Sequence, residues 1–266
     1  MTRLRGGRGV RMDAKPYGLL QDKVILVVGA STGIGADAAR LFAREGASVM
    51  LAARSEDLLH DLLDELHGAG LDAAAVRCDV TVPADVAHMV DAVVDRYGRI
   101  DGALNNAAIT QAGLLEDLSE EEFDRIMAVN VKGVWLCMRA ELAAMRKAGR
   151  GSIVNVTSVG ALRASSGMGA YQATKHAVAG LTGTAAHDAG PAGIRVNSVA
   201  PGPTATPMLA ATRVAIPGGV EARVAATPLR KMASTDDVAE TAAWLMSDRA
   251  AHISGVQLRV DGGYAA

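Results

Sequence analysis

Val24-Ile25-Leu26-Val27-Val28-Gly29-Ala30-Ser31-Thr32-Gly33-Ile34-Gly35 is the stretch that decides the fold. Its first five residues are an unbroken run of β-branched and apolar side chains, the composition of a strand buried on both faces. Ala38, Ala39, Leu41 and Phe42 then recur at helical spacing through Glu45. Between strand and helix, glycines permit a tight turn and let a backbone approach a pyrophosphate closely. The helix start adds unpaired N–H groups and a positive dipole end for an anion. The spacing is G-x-x-x-G-x-G, not the commoner G-x-G-x-x-G, and a glycine-rich turn without a ligand is the plain alternative.

The same alternation continues outward. Strands are expected at 49–52, 73–77, 100–104, 152–156, 194–199 and 256–260. Helices are expected at 57–66, closed by Gly68, and at 84–97, closed by Gly98. Ser119-Glu120-Glu121-Glu122 is a capping box that opens a long helix towards Ala148. A further helix runs from Tyr171 towards Ala189, and Ser234 caps one that reaches Met246. Residues 202–231, with Pro203, Pro207, Pro217 and Pro228, read as an irregular lid. Alternating strands and helices imply an α/β, doubly wound Rossmann-type parallel sheet of about seven strands. Residues 21–266 form one domain, and residues 1–20 read as a disordered basic extension.

Composition narrows the function. Half of the 266 residues are hydrophobic and only 3% are aromatic, so the core must be built from Ala, Val, Leu and Ile. A formal net charge of −2 makes no electrostatic case for nucleic acid or an anionic membrane. No apolar run approaches the ~20 residues of a membrane span. Cys78 and Cys137 stand apart without metal-ligand spacing, and the six histidines are scattered, so no metal site is expected. A reduced, cytoplasmic protein is the plain reading.

A second stretch carries the chemistry. The apolar run ending at Val156 passes into Thr157 and Ser158; thirteen positions later comes Tyr171, and one helical turn beyond it Lys175. Tyrosine and lysine at that spacing share a helix face. At ~4 Å and an effective dielectric of ~20, the ammonium would favour the phenolate by roughly 4 kcal/mol. The phenol should then titrate well below its usual value and serve in proton transfer. Alone, such a pair is common in helices.

Together these motifs resemble the short-chain dehydrogenase/reductase family from Lys23 to Gly263. Gly29-x-x-x-Gly33-Ile34-Gly35, with Ser31 and Thr32, is similar to its cofactor loop. Asp79, followed by Val80, matches its adenine contact, and Asn105-Asn106-Ala107 its Asn-Asn-Ala motif. Asn130, Ser158, Tyr171 and Lys175 match its catalytic tetrad. Pro201-Gly202 and Val260-Asp261-Gly262-Gly263 match as well, Thr204 falls where the family contacts the nicotinamide carboxamide, and Thr206 lies near the diphosphate. Val28 stands where the family usually has a threonine that ties the first strand to the fourth, and apolar packing is expected to replace that tie. Ala108 replaces a usual glycine.

The resemblance implies hydride transfer between NAD(P)(H) and a carbonyl or secondary alcohol. Tyr171 would handle the proton, assisted by Lys175, while Ser158 donates to the substrate oxygen and Asn130 holds a water that links Lys175 to solvent. The second expected strand ends in Ala53-Arg54 rather than in a carboxylate that would accept the ribose hydroxyls. A guanidinium there suits a 2′-phosphate, so NADP(H) is favoured over NAD(H). Ala161, Leu162, Met168, Met208 and Leu209 are the expected pocket wall, apolar and without aromatics, suited to a small or medium hydrophobic ketone. Arg163 reads as an exposed loop arginine. Ala140, Ala143, Ala144, Ala177 and Gly180 suggest outward helix faces that pair in a homotetramer or homodimer. NAD-dependent oxidation of an alcohol or diol is the alternative reaction; a nucleotide-sensing binding protein fits less well, because both Tyr171 and Lys175 are present.

Overall fold

The computed structural model describes residues 17–211 and 219–266. The expected extension therefore lies mostly outside the described residues, as does part of the lid, 212–218. The fold begins before residue 21. Leu20 is fully buried, and the backbone N–H groups of Tyr17 and Leu19 donate to the Glu45 carboxylate at 3.1 and 2.8 Å.

Seven parallel strands form one sheet: β1 (Val24–Val28), β2 (Ser48–Ala53), β3 (Ala73–Arg77), β4 (Gly102–Asn105), β5 (Gly151–Val156), β6 (Ile194–Pro201) and β7 (Gln257–Val260). Their order is β3-β2-β1-β4-β5-β6-β7. The direction of winding reverses between β1 and β4, and crevices at such switch points, outside the carboxyl ends of the strands, take ligands. The connecting helices are α1 (Gly33–Arg44), α2 (Glu56–Gly68), α3 (Pro83–Tyr97), α4 (Glu120–Met127), α5 (Val134–Ala148), α6 (Gly169–Ala189), α7 (Pro207–Ala211), α8 (Gly219–Ala226) and α9 (Thr235–Met246).

Successive strand residues point to opposite faces, and β1 shows what that does to an all-apolar strand. Ile25 and Val27 pack into a core with α1, α2 and α9. Val24, Leu26 and Val28 pack into a second core with α3, α5 and α6. Small residues let the helices sit close: Ala38 and Ala39 of α1 and Ala239, Ala242 and Ala243 of α9 are fully buried.

Several boundaries differ from expectation. The fourth strand starts at Gly102, not Ile100, where a Cβ would lie 2.6 Å from the Ile25 methyl carbon. A side chain there would have to displace the ends of Ile25 and Met246. The long helix after Ser119 does open with a capping box, Ser119 Oγ accepting from the Glu122 N–H at 3.2 Å. It does not run straight to Ala148, because residues Ala128–Gly133 form a π-helical segment between α4 and α5, with Asn130 inside it. Such segments commonly mark functional positions. Tyr171 is the third residue of α6, not the first. The 202–231 stretch is not wholly irregular, since α7 and α8 lie within it.

A polar chain runs between the sheet and the helices of the second core. The Asn105 amide donates to Glu141 Oε2 and to Asn155 Oδ1, each at 3.0 Å, and the Asn155 amide donates to Thr182 Oγ1 at 2.9 Å. Complete burial pushes the Glu141 carboxyl up to about 7, although the Asn105 bond acts the other way.

Candidate active site

The carboxyl ends of β1, β2, β4, β5 and β6 open into a cavity of ≈ 300 Å³. At one end the glycine loop forms the wall. Gly29 has φ +83° and Gly33 φ +58°, backbone that side-chain-bearing residues rarely adopt. A Cβ on Gly29 would stand 2.6 Å from the Ala107 nitrogen, and one on Gly35 only 2.0 Å from the Gly29 carbonyl oxygen. Gly35 therefore lies behind the cavity and brings α1 against the turn, whereas Gly29, Ser31, Thr32, Gly33 and Ile34 line it.

The β1–β4 tie at Val28 is only partly apolar. Val28 is buried in the second core, but the link itself is polar. The Asn106 N–H donates to the Val28 carbonyl at 2.9 Å, and the Asn106 amide donates to the Gly29 carbonyl at 3.0 Å. Asn106 does what a threonine at position 28 was expected to do.

Two residues set the electrostatics of this end. Arg54 is exposed at the rim, directly after the buried Ala53. Burial opposes ionisation of Asp79, yet hydrogen bonds from the Thr81 N–H and hydroxyl, at 2.9 and 2.7 Å, with Arg54 and Arg77 nearby, hold its carboxyl below the ordinary value. Val80 lines the cavity beside it. The α1 N-terminus carries no side-chain cap on Thr32 and no acid in its first turn, so its N–H groups are available to an anion. These features fit a dinucleotide: a backbone cradle for the diphosphate, an ionised carboxylate, and a cation where the adenosine ribose would end. Among the described residues, no cluster of His, Cys, Asp or Glu is suited to a metal.

At the other end stand Ser158, Tyr171 and Lys175, all on the cavity wall. Ser158 leaves β5 in extended backbone and starts a one-turn 3₁₀ helix, its Oγ accepting from the Gly160 N–H at 3.0 Å. The Lys175 ammonium lies 5.5 Å from the centre of the Tyr171 ring and donates to the Val156 carbonyl at 2.9 Å.

The expected lowering of the tyrosine's pKa by this lysine does not hold in the protein alone. Burial pushes the Tyr171 phenol above its ordinary value, against smaller opposite pulls from the Ser158 hydrogen bond and the Arg223 charge. Burial also brings the Lys175 ammonium down to about 8. A surface dielectric leaves out desolvation, which is the largest influence on both groups here, and the Lys175 charge is not among the pulls on Tyr171.

Asn130 is fully buried and does not touch the cavity. Its side chain donates to the Ile109 carbonyl and accepts from the Ile109 N–H, both at 2.8 Å, and donates to Thr174 Oγ1 at 3.2 Å. Thr174 Oγ1 in turn donates to the Tyr171 carbonyl at 2.6 Å. The carboxamide is thus spent on protein partners, and its visible effect is to fix the loop after β4 to the first turns of α6.

The remaining expected residues divide. Pro201, Gly202, Thr204, Thr206, Met168, Met208 and Leu209 line the cavity. Ala161 and Leu162 do not: the 3₁₀ turn Val159–Ala161 gives Val159 to the wall, buries Ala161 and leaves Leu162 44% exposed. Nor does the wall lack aromatics, because Tyr264 contributes to it. Arg163 is an exposed loop arginine, as expected, but it has partners. Its guanidinium lies 4.6 Å over the Tyr264 ring and donates to the Tyr264 carbonyl at 3.0 Å. Arg223 of α8 also lines the cavity. No local pattern singles out Tyr264 or Arg223, since only tertiary folding brings the lid and the C-terminal turn to the site.

Comparison with known proteins agrees with this geometry. Residues 29–265 match a family profile described as enoyl-(acyl carrier protein) reductase. The chain is 45% identical over 252 residues to the A-factor type γ-butyrolactone 1′-reductase (1S-forming) of Streptomyces virginiae, covering 93% of this chain and 97% of that one. It is 40% identical over 249 residues to the cyclopentanol dehydrogenase of Comamonas testosteroni, covering 94% and 99%. The crystal structure of levodione reductase superposes with a TM-score of 0.88 at 33% identity, covering 92% of this chain and 98% of that one. With a doubly wound sheet, a glycine cradle at its switch point and Ser158, Tyr171 and Lys175 on one cavity, the chain belongs to the short-chain dehydrogenase/reductase family of NAD(P)-dependent enzymes that interconvert CH–OH and C=O.

Proposed function

We propose that this enzyme reduces a ketone on, or attached to, a small ring, using NADPH. The observation that carries the reading is geometric: the Tyr171 phenol, kept protonated by burial, stands with Ser158 and Lys175 on one wall of the cavity. A protonated phenol is an acid ready to give its proton to a carbonyl oxygen. The bound nicotinamide supplies the hydride to the carbonyl carbon. As that carbon is reduced, the oxygen gains charge and takes the Tyr171 proton, yielding a secondary alcohol. Ser158, beside Tyr171 on the cavity wall, would turn its donor to the same oxygen. Lys175 faces the resulting phenolate as a cation and favours it until the proton is restored.

The coenzyme reading rests on Arg54. A guanidinium at the rim, with Ala53 in place of a carboxylate, recognises a phosphate monoester through charge-assisted hydrogen bonds. The ring is inferred from the names of the relatives, one a lactone reductase and one a cyclopentanol dehydrogenase. The second name also favours another reading, NAD-dependent oxidation of a cyclic alcohol at the same site.

A spectrophotometric panel separates the two. Cyclopentanone, cyclohexanone and the corresponding alcohols are each assayed with NADPH, NADH, NADP+ and NAD+. The expected result is ketone-dependent NADPH oxidation with kcat/KM at least about tenfold above that with NADH. Equal or better use of NADH removes the coenzyme reading, and faster alcohol oxidation with NAD+ establishes the second one.

A further inference from the structure

We propose that Arg223 is a substrate-recognition residue that binds an oxygen acceptor carried by the substrate away from its reacting carbonyl. The inference deepens the ketone-reductase reading and rests on it. Arg223 sits in α8, is half-buried, and lines the cavity. Among the described residues, its guanidinium has no ion pair and no hydrogen bond. A half-buried guanidinium forgoes part of its hydration, so a partner arriving in the cavity gains more from it than at an open surface.

Its place within the cavity says which partner. Among the described residues, the cavity presents two guanidinium groups with no hydrogen-bonded partner, Arg54 and Arg223. Arg54 acts on Asp79, at the cradle end. Arg223 acts on Tyr171, at the catalytic end. A diphosphate lying in the glycine cradle is served by the first end, which leaves Arg223 facing the substrate. Nor is α8 a loose flap. Thr227, at its end, is buried, donates to the Arg223 carbonyl at 3.0 Å, and packs so tightly on the C-terminal turn that a Cβ on Gly262 would stand 2.8 Å from its methyl carbon. The ligand class that follows is a ketone bearing a carboxylate, or a neutral ester or lactone carbonyl, on a carbon beyond the reacting one.

Equilibrium titration tests this without turnover. The protein saturated with NADP+ is titrated with 3-oxocyclopentane-1-carboxylate, with its methyl ester, and with cyclopentanone. The native chain should bind at least one oxygen-bearing ketone about tenfold more tightly than cyclopentanone. In Arg223→Gln that preference should shrink to threefold or less, on the order of what a neutral amide retains. Arg223→Lys should keep a preference for the carboxylate and lose one for the ester, because an ammonium is a point charge without the guanidinium fork. The carboxylate and ester arms tell an anionic substrate group from a neutral one. Three equal affinities in the native chain overturn the proposal, and so does an unchanged ranking in Arg223→Gln. So does a fall of about tenfold in NADP+ affinity in that variant, since the guanidinium then serves the coenzyme. An intact ranking with no ketone reduction would sink the proposed reaction and leave this assignment standing.

Discussion

Tyr171 and Lys175 share a helix face but do not titrate as an isolated pair would. Tyr171→Phe removes the phenol placed at the catalytic end and leaves the glycine cradle untouched. Turnover should fall about 10²–10⁴-fold, while coenzyme affinity measured by fluorescence stays within about twofold. Substantial residual turnover would show that another group gives the proton. Lys175 makes a different prediction, because its burial is a cost to the fold. The unfolded lysine titrates at 10.5 and the folded one at about 8. Between those values the unfolded state binds more protons, so stability rises with pH across that window. Below pH 8 both states are charged and the full penalty remains, at most roughly 3 kcal/mol. Lys175→Met should therefore stabilise the coenzyme-free protein at pH 7 by about 1–3 kcal/mol, read by urea denaturation, and abolish activity. A less stable variant would mean that the Lys175–Val156 bond outweighs the burial.

Glu141 is the corresponding case at the level of packed elements. It is carried by α5 and bonded to the end of β4 through Asn105. Its carboxyl titrates at 4.5 when unfolded and at about 7 in the fold. Here the folded state binds more protons between those values, so stability is lost as pH rises through that range. Glu141→Gln keeps an acceptor for the Asn105 amide without the charge. It should stabilise the protein at pH 8 by about 1–3 kcal/mol and change little at pH 4.5, read by urea denaturation at both. Equal effects at the two pH values would place the cost in packing instead.

The elements also show what sequence conveys and what it leaves out. The unbroken apolar run from Val24 to Val28 and the 3.6 spacing of α1 are local, so strand and helix were legible at once. So was the capping box at Ser119. The π segment around Asn130 was not, because its cause is tertiary: the carboxamide is drawn to Ile109 and Thr174, residues 21 and 44 positions away. The start of β4 at Gly102 is set by its pairing with Ile25 of β1, which no window along the chain contains. At the site, residues belonging to motifs were recognisable and those supplied by folding were not. Val159 replaced Ala161 and Leu162 on the wall through a single 3₁₀ turn, and Arg223 lay in a stretch read as irregular.

For the whole molecule, the arrangement separates binding from selection. The cradle, Asp79 and Arg54 belong to the strand ends of one half of the sheet, while Met208, Leu209, Arg223 and Tyr264 come from the lid and the C-terminal turn. The first set is rigid by packing, so the second is free to differ without disturbing it. Among the described residues, no helix is long and apolar enough to cross a membrane. The outward helix faces are less bare than the alanine pattern implies: Ala143 and Gly180 are exposed, whereas Ala140, Ala144 and Ala177 are half-buried within the chain. Trp135, 42% exposed on the same side with Arg139 stacked 4.8 Å over it, adds a large apolar surface. We expect α5 and α6 to pair between copies, and sedimentation velocity at micromolar protein should give a dimer or tetramer. A monomer would leave Trp135 without a purpose.

Tyr264 lies outside any helix or strand and is fastened by the Arg163 stack and two hydrogen bonds, its carbonyl accepting from Arg163 at 3.0 Å and its N–H donating to the Asp261 carbonyl at 3.1 Å. Part of the cavity wall can therefore be removed like a cork. Tyr264→Ala would open the room to bulkier ketones with the proton-transfer machinery intact, so that one side chain outside the sheet would govern which substrates fit.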